Sequence, residues 1–128
     1  MDQFRLSSEA ENDIEPILVW TNGQFGETVR LRYEELLVQA LLVVAADPRH
    51  VGSLERSELV KGAFTYHLRH SRDHVNRSKG RIQKLRHFLL YRVAKDGCLE
   101  ISRVLHDSME IARHLPPDYQ LLDSEPSL

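Results

Sequence analysis

The sequence predicts an α+β domain in which a helical hairpin lies on one face of an antiparallel sheet, in the order β-α-α-β-β-β with a short C-terminal helix. Three observations carry this. Two long stretches in the first half repeat apolar residues at helical spacing, short alternating segments fill the second half, and only a few residues around Gly23 and Gly26 join the two helical stretches. So short a junction makes the helices antiparallel neighbours whose apolar stripes face a common partner. That partner is the sheet.

Gln3–Leu6 alternates Phe4 and Leu6 with polar residues before Ser7-Ser8, the pattern of a brief first strand. Ser8 with Glu11 three residues later forms a capping-box pattern, and Glu9, Glu11 and Asp13 put negative charge at the positive end of a helix. Ala10, Ile14, Ile17, Leu18 and Thr21 follow on one stripe, Pro16 implies a kink, and Asn22-Gly23 is the expected stop. From Glu27 to Ala46 a clear 3.6-residue period runs through Val29, Tyr33, Leu36, Leu37, Ala40, Leu41 and Val44 until Asp47-Pro48 ends it. Phe64, Tyr66 and Leu68 alternate with polar residues as in a half-buried strand, so the face away from the helices is expected to stay available. His87–Val93 and Leu99–Leu105 flank the turn signal Asp96-Gly97 and predict a hairpin. Ser108 is a candidate cap for a last helix, Met109–His114, which Pro116-Pro117 terminates. Between Ser71 and Leu85 the chain is too polar for core and predicts a long basic loop or an extended hairpin.

The 128 residues, 41% hydrophobic and 28% charged, suit one compact domain, expected over residues 1–118 with 119–128 as a flexible tail. Apolar runs such as Leu41–Ala46 are far short of the roughly 20 residues that span a bilayer. Met1–Asn12 lacks the apolar segment of a secretory signal, so a cytoplasmic location is expected. With Cys98 as the only cysteine, an internal disulfide and a cysteine-based zinc site are excluded.

A net charge of −2 hides strong segregation. Residues 1–60 hold 5 Lys/Arg against 11 Asp/Glu, residues 61–95 hold 10 against 1, and residues 96–128 hold 2 against 7. The basic middle third also carries His67, His70, His74 and His87, so its charge is expected to grow as pH falls toward 6. Such a block is either a surface for an anionic partner or a solvated face balanced in space by the acidic helices.

No glycine loop has the spacing of a P-loop or a dinucleotide turn, and no HExxH motif is present, so no cofactor and no metal are expected. The notable cluster is Tyr66-His67-Leu68-Arg69-His70 in one strand, with Arg86-His87 and Tyr91-Arg92 in the next and Arg103 and His106 in the last. Residues of one parity share a face, which would bring His67 beside Arg69. His67 or His106 as general acid or base, with Arg69, Arg92 and Arg103 stabilising phosphorane-like charge, is what metal-free RNA cleavage requires. The plainer alternative is a solvated sheet face. Trp20, Phe25 and Tyr33 on the hairpin are either core or an exposed groove for a partner, and Trp20, Tyr33, Leu37 and Leu41 are the candidate partner-binding residues.

The stretch HFLLYRVAKDGCLEISRVLHDSMEIARHL, positions 87–115, resembles the C-terminal signature of ParE toxins in the RelE/ParE superfamily of type II toxin–antitoxin systems. It has an aromatic-aliphatic strand ending in Tyr91-Arg92-Val93, the Asp96-Gly97 turn, then Glu100-Ile101-Ser102-Arg103-Val104-Leu105-His106. The opening Leu6-Ser7-Ser8-Glu9-Ala10-Glu11-Asn12-Asp13-Ile14 is similar to the family's L-S-x-x-A-x-x-D-I start. The resemblance covers about residues 3–115. It implies a plasmid-stabilisation toxin wrapped by a cognate antitoxin in a hetero-oligomeric complex, and, by the RVLH strand, action on DNA gyrase. Arg103, His106, Met109 and Ile111 are then the candidate target-binding residues, and an acidic antitoxin peptide would suit the basic strands. A ribosome-dependent mRNA endoribonuclease of the RelE type, and a chain that binds its antitoxin without toxicity, are the alternatives on the same fold.

Overall fold

The computed structural model describes residues 4–74 and 85–116. In chain order it has β1 (Phe4–Leu6), α1 (Ser8–Phe25), α2 (Glu27–Ala46), β2 (Ser53–Glu55), β3 (Ala63–His67), a 3-10 helix (Leu68–His74), β4 (His87–Val93), β5 (Leu99–His106) and a 3-10 turn (Ile111–Arg113). The expected α+β arrangement of helical hairpin on sheet is present.

Ser7 caps α1, one residue before the expected capping box: its hydroxyl accepts the Ala10 N–H at 3.0 Å and donates to the Ser102 carbonyl at 2.8 Å. The cap therefore also ties the helix start to β5. Helix α1 continues through Pro16, since Asn12, the residue whose carbonyl loses its partner, faces solvent. It also passes the expected stop at Asn22-Gly23. The chain turns instead at Gly26, whose φ of 91° favours glycine and whose N–H donates to the Asn22 carbonyl at 2.9 Å.

The sheet has five strands in the order β1-β5-β4-β3-β2. It is mixed and not wholly antiparallel, because β1 pairs in parallel with β5, Phe4 opposite Leu99. At Leu90/Tyr91 the β4–β5 register shifts and Ser102 becomes the extra residue of a bulge. The bulge lets Ile101 and Val104, an odd number of positions apart, both enter the main core.

That core lies between the hairpin and the sheet: Tyr33, Leu36, Leu37, Ala40, Leu41 and Val44 of α2 meet Phe64, Tyr66, Leu89, Tyr91, Ile101 and Val104. Tyr91 is fully buried, and its hydroxyl donates to the Pro48 carbonyl at 2.6 Å, fixing the chain between α2 and β2. The opposite face, expected to stay available, is partly covered. Val60, Ala63 and Leu90 form a second small core there, with Ile111 and Leu115 packed on it. This is why β3 is buried on both faces up to Tyr66.

The expected helix Met109–His114 shrinks to the 3-10 turn Ile111–Arg113. Six residues give few internal hydrogen bonds for the cost of nucleation, and the Ser108 hydroxyl bonds to His106 Nδ1 at 2.7 Å. The polar stretch after Ser71 begins as the 3-10 helix, in which Ser71 is buried and its hydroxyl bonds with that of Tyr66 at 2.8 Å. Residues 75–84 and the expected tail lie outside the described residues.

Candidate functional site

Three histidines distant in sequence meet at one end of the sheet. His67 closes β3, His87 opens β4 and His106 closes β5, and antiparallel register sets His87 opposite His106 and His67 opposite Phe88. The His87 and His106 rings stand edge to face with centroids 5.3 Å apart. His87 Nδ1 is hydrogen-bonded to the Tyr33 hydroxyl of α2, so the cluster is anchored to the helical hairpin.

The protons are fixed by neighbours. His67 Nδ1 accepts the Arg69 backbone N–H at 3.1 Å, which leaves Nε2 to donate to Asp107 Oδ2 at 3.2 Å. His106 Nδ1 accepts the Ser108 N–H at 3.1 Å and stands 3.7 Å from Asp107 Oδ1. Burial lowers the pKa of His67 below the usual histidine value, with Asp107 opposing and Arg69 assisting. Burial, then the neighbouring His106, lowers His87 to about 4, and burial followed by Arg69 lowers His70. These three therefore gain charge at lower pH than the sequence suggests, and His87 adds none to the basic third of the chain near pH 6.

The arginines expected beside these histidines are mostly elsewhere. Arg69 is close to His67, but through the 3-10 helix and not through strand parity, because β3 stops at His67. Arg92 sits five residues from His87, about 16 Å along the strand, and its guanidinium pairs with Glu100 at 3.2 Å. Glu100 also meets Arg5 at 3.4 Å. Arg103 forms a bidentate pair with Asp13 on α1, at 2.7 and 2.8 Å, and donates to the His114 carbonyl at 2.9 Å. Thus His67, Arg69 and His106 gather at one end, while Arg92 and Arg103 serve internal ion pairs. His87, Tyr33 and Asp107 complete the cluster without standing in the expected catalytic set. Strand register and the packing of α2 on the sheet link them, which spacing alone does not supply.

Of the residues expected to bind a partner, Tyr33, Leu37 and Leu41 are buried in the main core. Trp20 is on the surface, 58% exposed, stacked edge to face with Phe25, which is 60% exposed. Val19, Leu31, Val38 and Leu42 add further exposed apolar surface to the hairpin. On the C-terminal segment Met109 is 43% exposed, whereas Ile111 packs on the second core. Among the described residues no group of three or more His, Cys, Asp or Glu is placed to hold a metal ion, and no helix is long and apolar enough to cross a membrane.

A two-helix hairpin on a mixed five-stranded sheet, with a histidine cluster at one sheet end and a short segment folded over the far face, defines a small α+β protein of RelE/ParE-like architecture. Residues 4–111 match the family of ParE toxins of type II toxin–antitoxin systems, parDE, and the chain belongs to that family. Membership implies an antitoxin partner. No match was found among curated proteins.

Proposed function

We propose that the chain is a plasmid-stabilisation toxin that a cognate antitoxin holds silent in a cytoplasmic complex, and that it acts on DNA gyrase by occupying protein surface. The observation that supports surface binding over RNA cleavage is that two of the three expected arginines, Arg92 and Arg103, are engaged away from the histidines. Charge stabilisation of a cleaving phosphodiester needs guanidinium groups converging on one phosphate beside the proton-transfer group. Arg92 and Arg103 are engaged by Glu100 and Asp13 instead, which leaves Arg69 alone of the three beside the histidines. The exposed apolar residues of the hairpin support docking of a protein partner.

The test is purified chain assayed in parallel for inhibition of gyrase supercoiling and for mRNA cleavage on translating ribosomes. Inhibition without cleavage is expected. Ribosomal cleavage that disappears with His67→Ala would overturn the reading in favour of a nuclease.

A further inference from the structure

Along α1, Glu11, Ile14, Glu15, Leu18, Val19 and Asn22 recur at helical steps and form one face over three turns. Glu27, Arg30 and Glu34 face them from α2, and Leu6 at the end of β1 helps to form the floor. Between these elements runs a groove of about 710 Å³. From Glu11 to Asn22 it extends about 16 Å at about 1.5 Å per residue, long enough for three turns of helix or five residues of strand.

Its two surfaces differ in chemistry. Leu6, Ile14 and Leu18 are partly buried against the main core and give an apolar floor. Val19, Asn22, Arg30 and four glutamates line the rest. Arg30 does little to offset them for a ligand, because Glu34 holds it at 2.7 Å, the Asn22 side-chain oxygen at 3.1 Å, and Glu27 stands at 4.0 Å. Among the described residues Glu11 and Glu15 have no ion-pair partner. An acidic peptide would be repelled here, and a neutral ligand would cover carboxylates without matching their charge.

We propose that this groove receives a cationic amphipathic segment of a partner protein. Its apolar side lies on Leu6, Ile14 and Leu18, and its Lys or Arg side chains, extended along the apolar floor, meet Glu11 and Glu15 at the rim. The proposal rests on the reading that an antitoxin silences the chain, and it names the chemistry of the segment that reaches the helical hairpin. The sign is opposite to that suggested by the basic strands. Residues 117–128 of the chain itself are unsuited to the role, since they carry Asp118, Asp123 and Glu125 and no Lys or Arg.

The experiment titrates the full chain, made by cell-free synthesis, with two labelled 14-residue amphipathic peptides, one of Leu and Lys and one of Leu and Glu. The Leu/Lys peptide is expected to bind saturably, and about tenfold more weakly to E11K/E15K, with E11Q/E15Q intermediate. E58K/E110K, which changes the net charge equally but outside the groove, should leave binding within about twofold. Equal or tighter binding of the Leu/Glu peptide, or loss that follows net charge and not position, overturns the proposal. So does a dimer of the chain alone that E11Q/E15Q dissociates, which would assign the groove to a second copy. Because the titration involves no gyrase, failure to inhibit gyrase with Leu/Lys binding intact removes the target assignment and leaves the groove chemistry standing. Gyrase inhibition with only Leu/Glu binding removes the groove proposal alone.

Discussion

Asp13 and Arg103, 90 residues apart, close the edge of the sheet where β1 runs out. Both Asp13 oxygens accept from the guanidinium, and Oδ2 also accepts the Val104 N–H at 2.9 Å, a backbone group that a longer first strand would have satisfied. The third arm of Arg103 reaches the His114 carbonyl and holds the C-terminal segment over the second core. One side-chain pair thus joins α1, β5 and the far-face cover.

Both members are mostly buried, with 14% and 21% of their side chains exposed, so removing one leaves the other desolvated and unmatched. Asp13→Ala is expected to cost about 2–3 kcal/mol, or roughly 6–15 °C of melting temperature for a domain of this size. Arg103→Ala should cost a similar amount, and the double variant about 1–2 kcal/mol less than the sum, because the second truncation removes the stranded charge. Additive losses in thermal or urea unfolding would show that the pair is not coupled.

How far this edge was legible in the sequence depends on separation along the chain. Helix α2 was legible because Tyr33, Leu36, Leu37, Ala40, Leu41 and Val44 repeat at the period of one face, and all six are core. The Asp96-Gly97 turn was equally local, with Asp96 Oδ1 accepting the Cys98 N–H at 3.0 Å and Gly97 at a φ of 83°. Strand β2 is not legible because Ser53-Leu54-Glu55 is too short to show a period, and its place is set by pairing with β3. The ion pairs of Arg92 and Arg103 are hidden from the sequence for a related reason. Charge clustering along the chain says nothing of Glu100 across the hairpin or of Asp13 on a distant helix. The histidine cluster depends on register, and parity failed at Arg69 because the strand had already ended.

Adjacent positions on α2 separate core from surface. Leu37 and Leu41 are buried, while Val38 and Leu42 are exposed. Leu37→Ala should cost about 2–4 kcal/mol by cavity formation, and Leu37→Asp or Leu41→Asp should prevent folding. Val38→Asp and Leu42→Asp should retain native circular dichroism and shift the urea midpoint only slightly. Folded, native-like Leu37→Asp protein would contradict the assignment of this stripe to the core.

The depressed pKa of His87 makes stability depend on pH. Above about 6.5 the ring is neutral in folded and unfolded chains alike, and the stability it permits is fully present. Between about 6.5 and 4 the unfolded chain binds a proton that the folded chain, with His87 between Tyr33 and His106 and near His67, resists. Stability therefore falls through this window and levels below it. Asp107 opposes the effect and His67 adds to it. At about 1.36 kcal/mol per unit the loss is ~3 kcal/mol at most, and roughly half that with the ring partly open to water. Urea midpoints at pH 7.5 and 4.5 should differ less in His87→Gln than in the parent; equal differences would place the acid sensitivity elsewhere.

The C-terminal segment divides an exposed apolar side chain from a packed one within three residues. Met109 projects to solvent, while Ile111 covers Val60, Ala63 and Leu90. If gyrase is met through this segment, binding energy concentrates in a few apolar anchors, and no single histidine is indispensable. Met109→Asp should then keep the parent melting temperature and weaken inhibition of supercoiling by about tenfold or more. Ile111→Asp should lower stability by about 2–3 kcal/mol by placing a carboxylate against the second core, so its loss of inhibition would follow its loss of fold. His67→Ala, which removes one of the two histidines beside Asp107 and no exposed apolar surface, should inhibit as the parent does. Full inhibition by folded Met109→Asp would remove residues 109–111 from the target surface, and selective loss in His67→Ala would move that surface to the histidine end of the sheet.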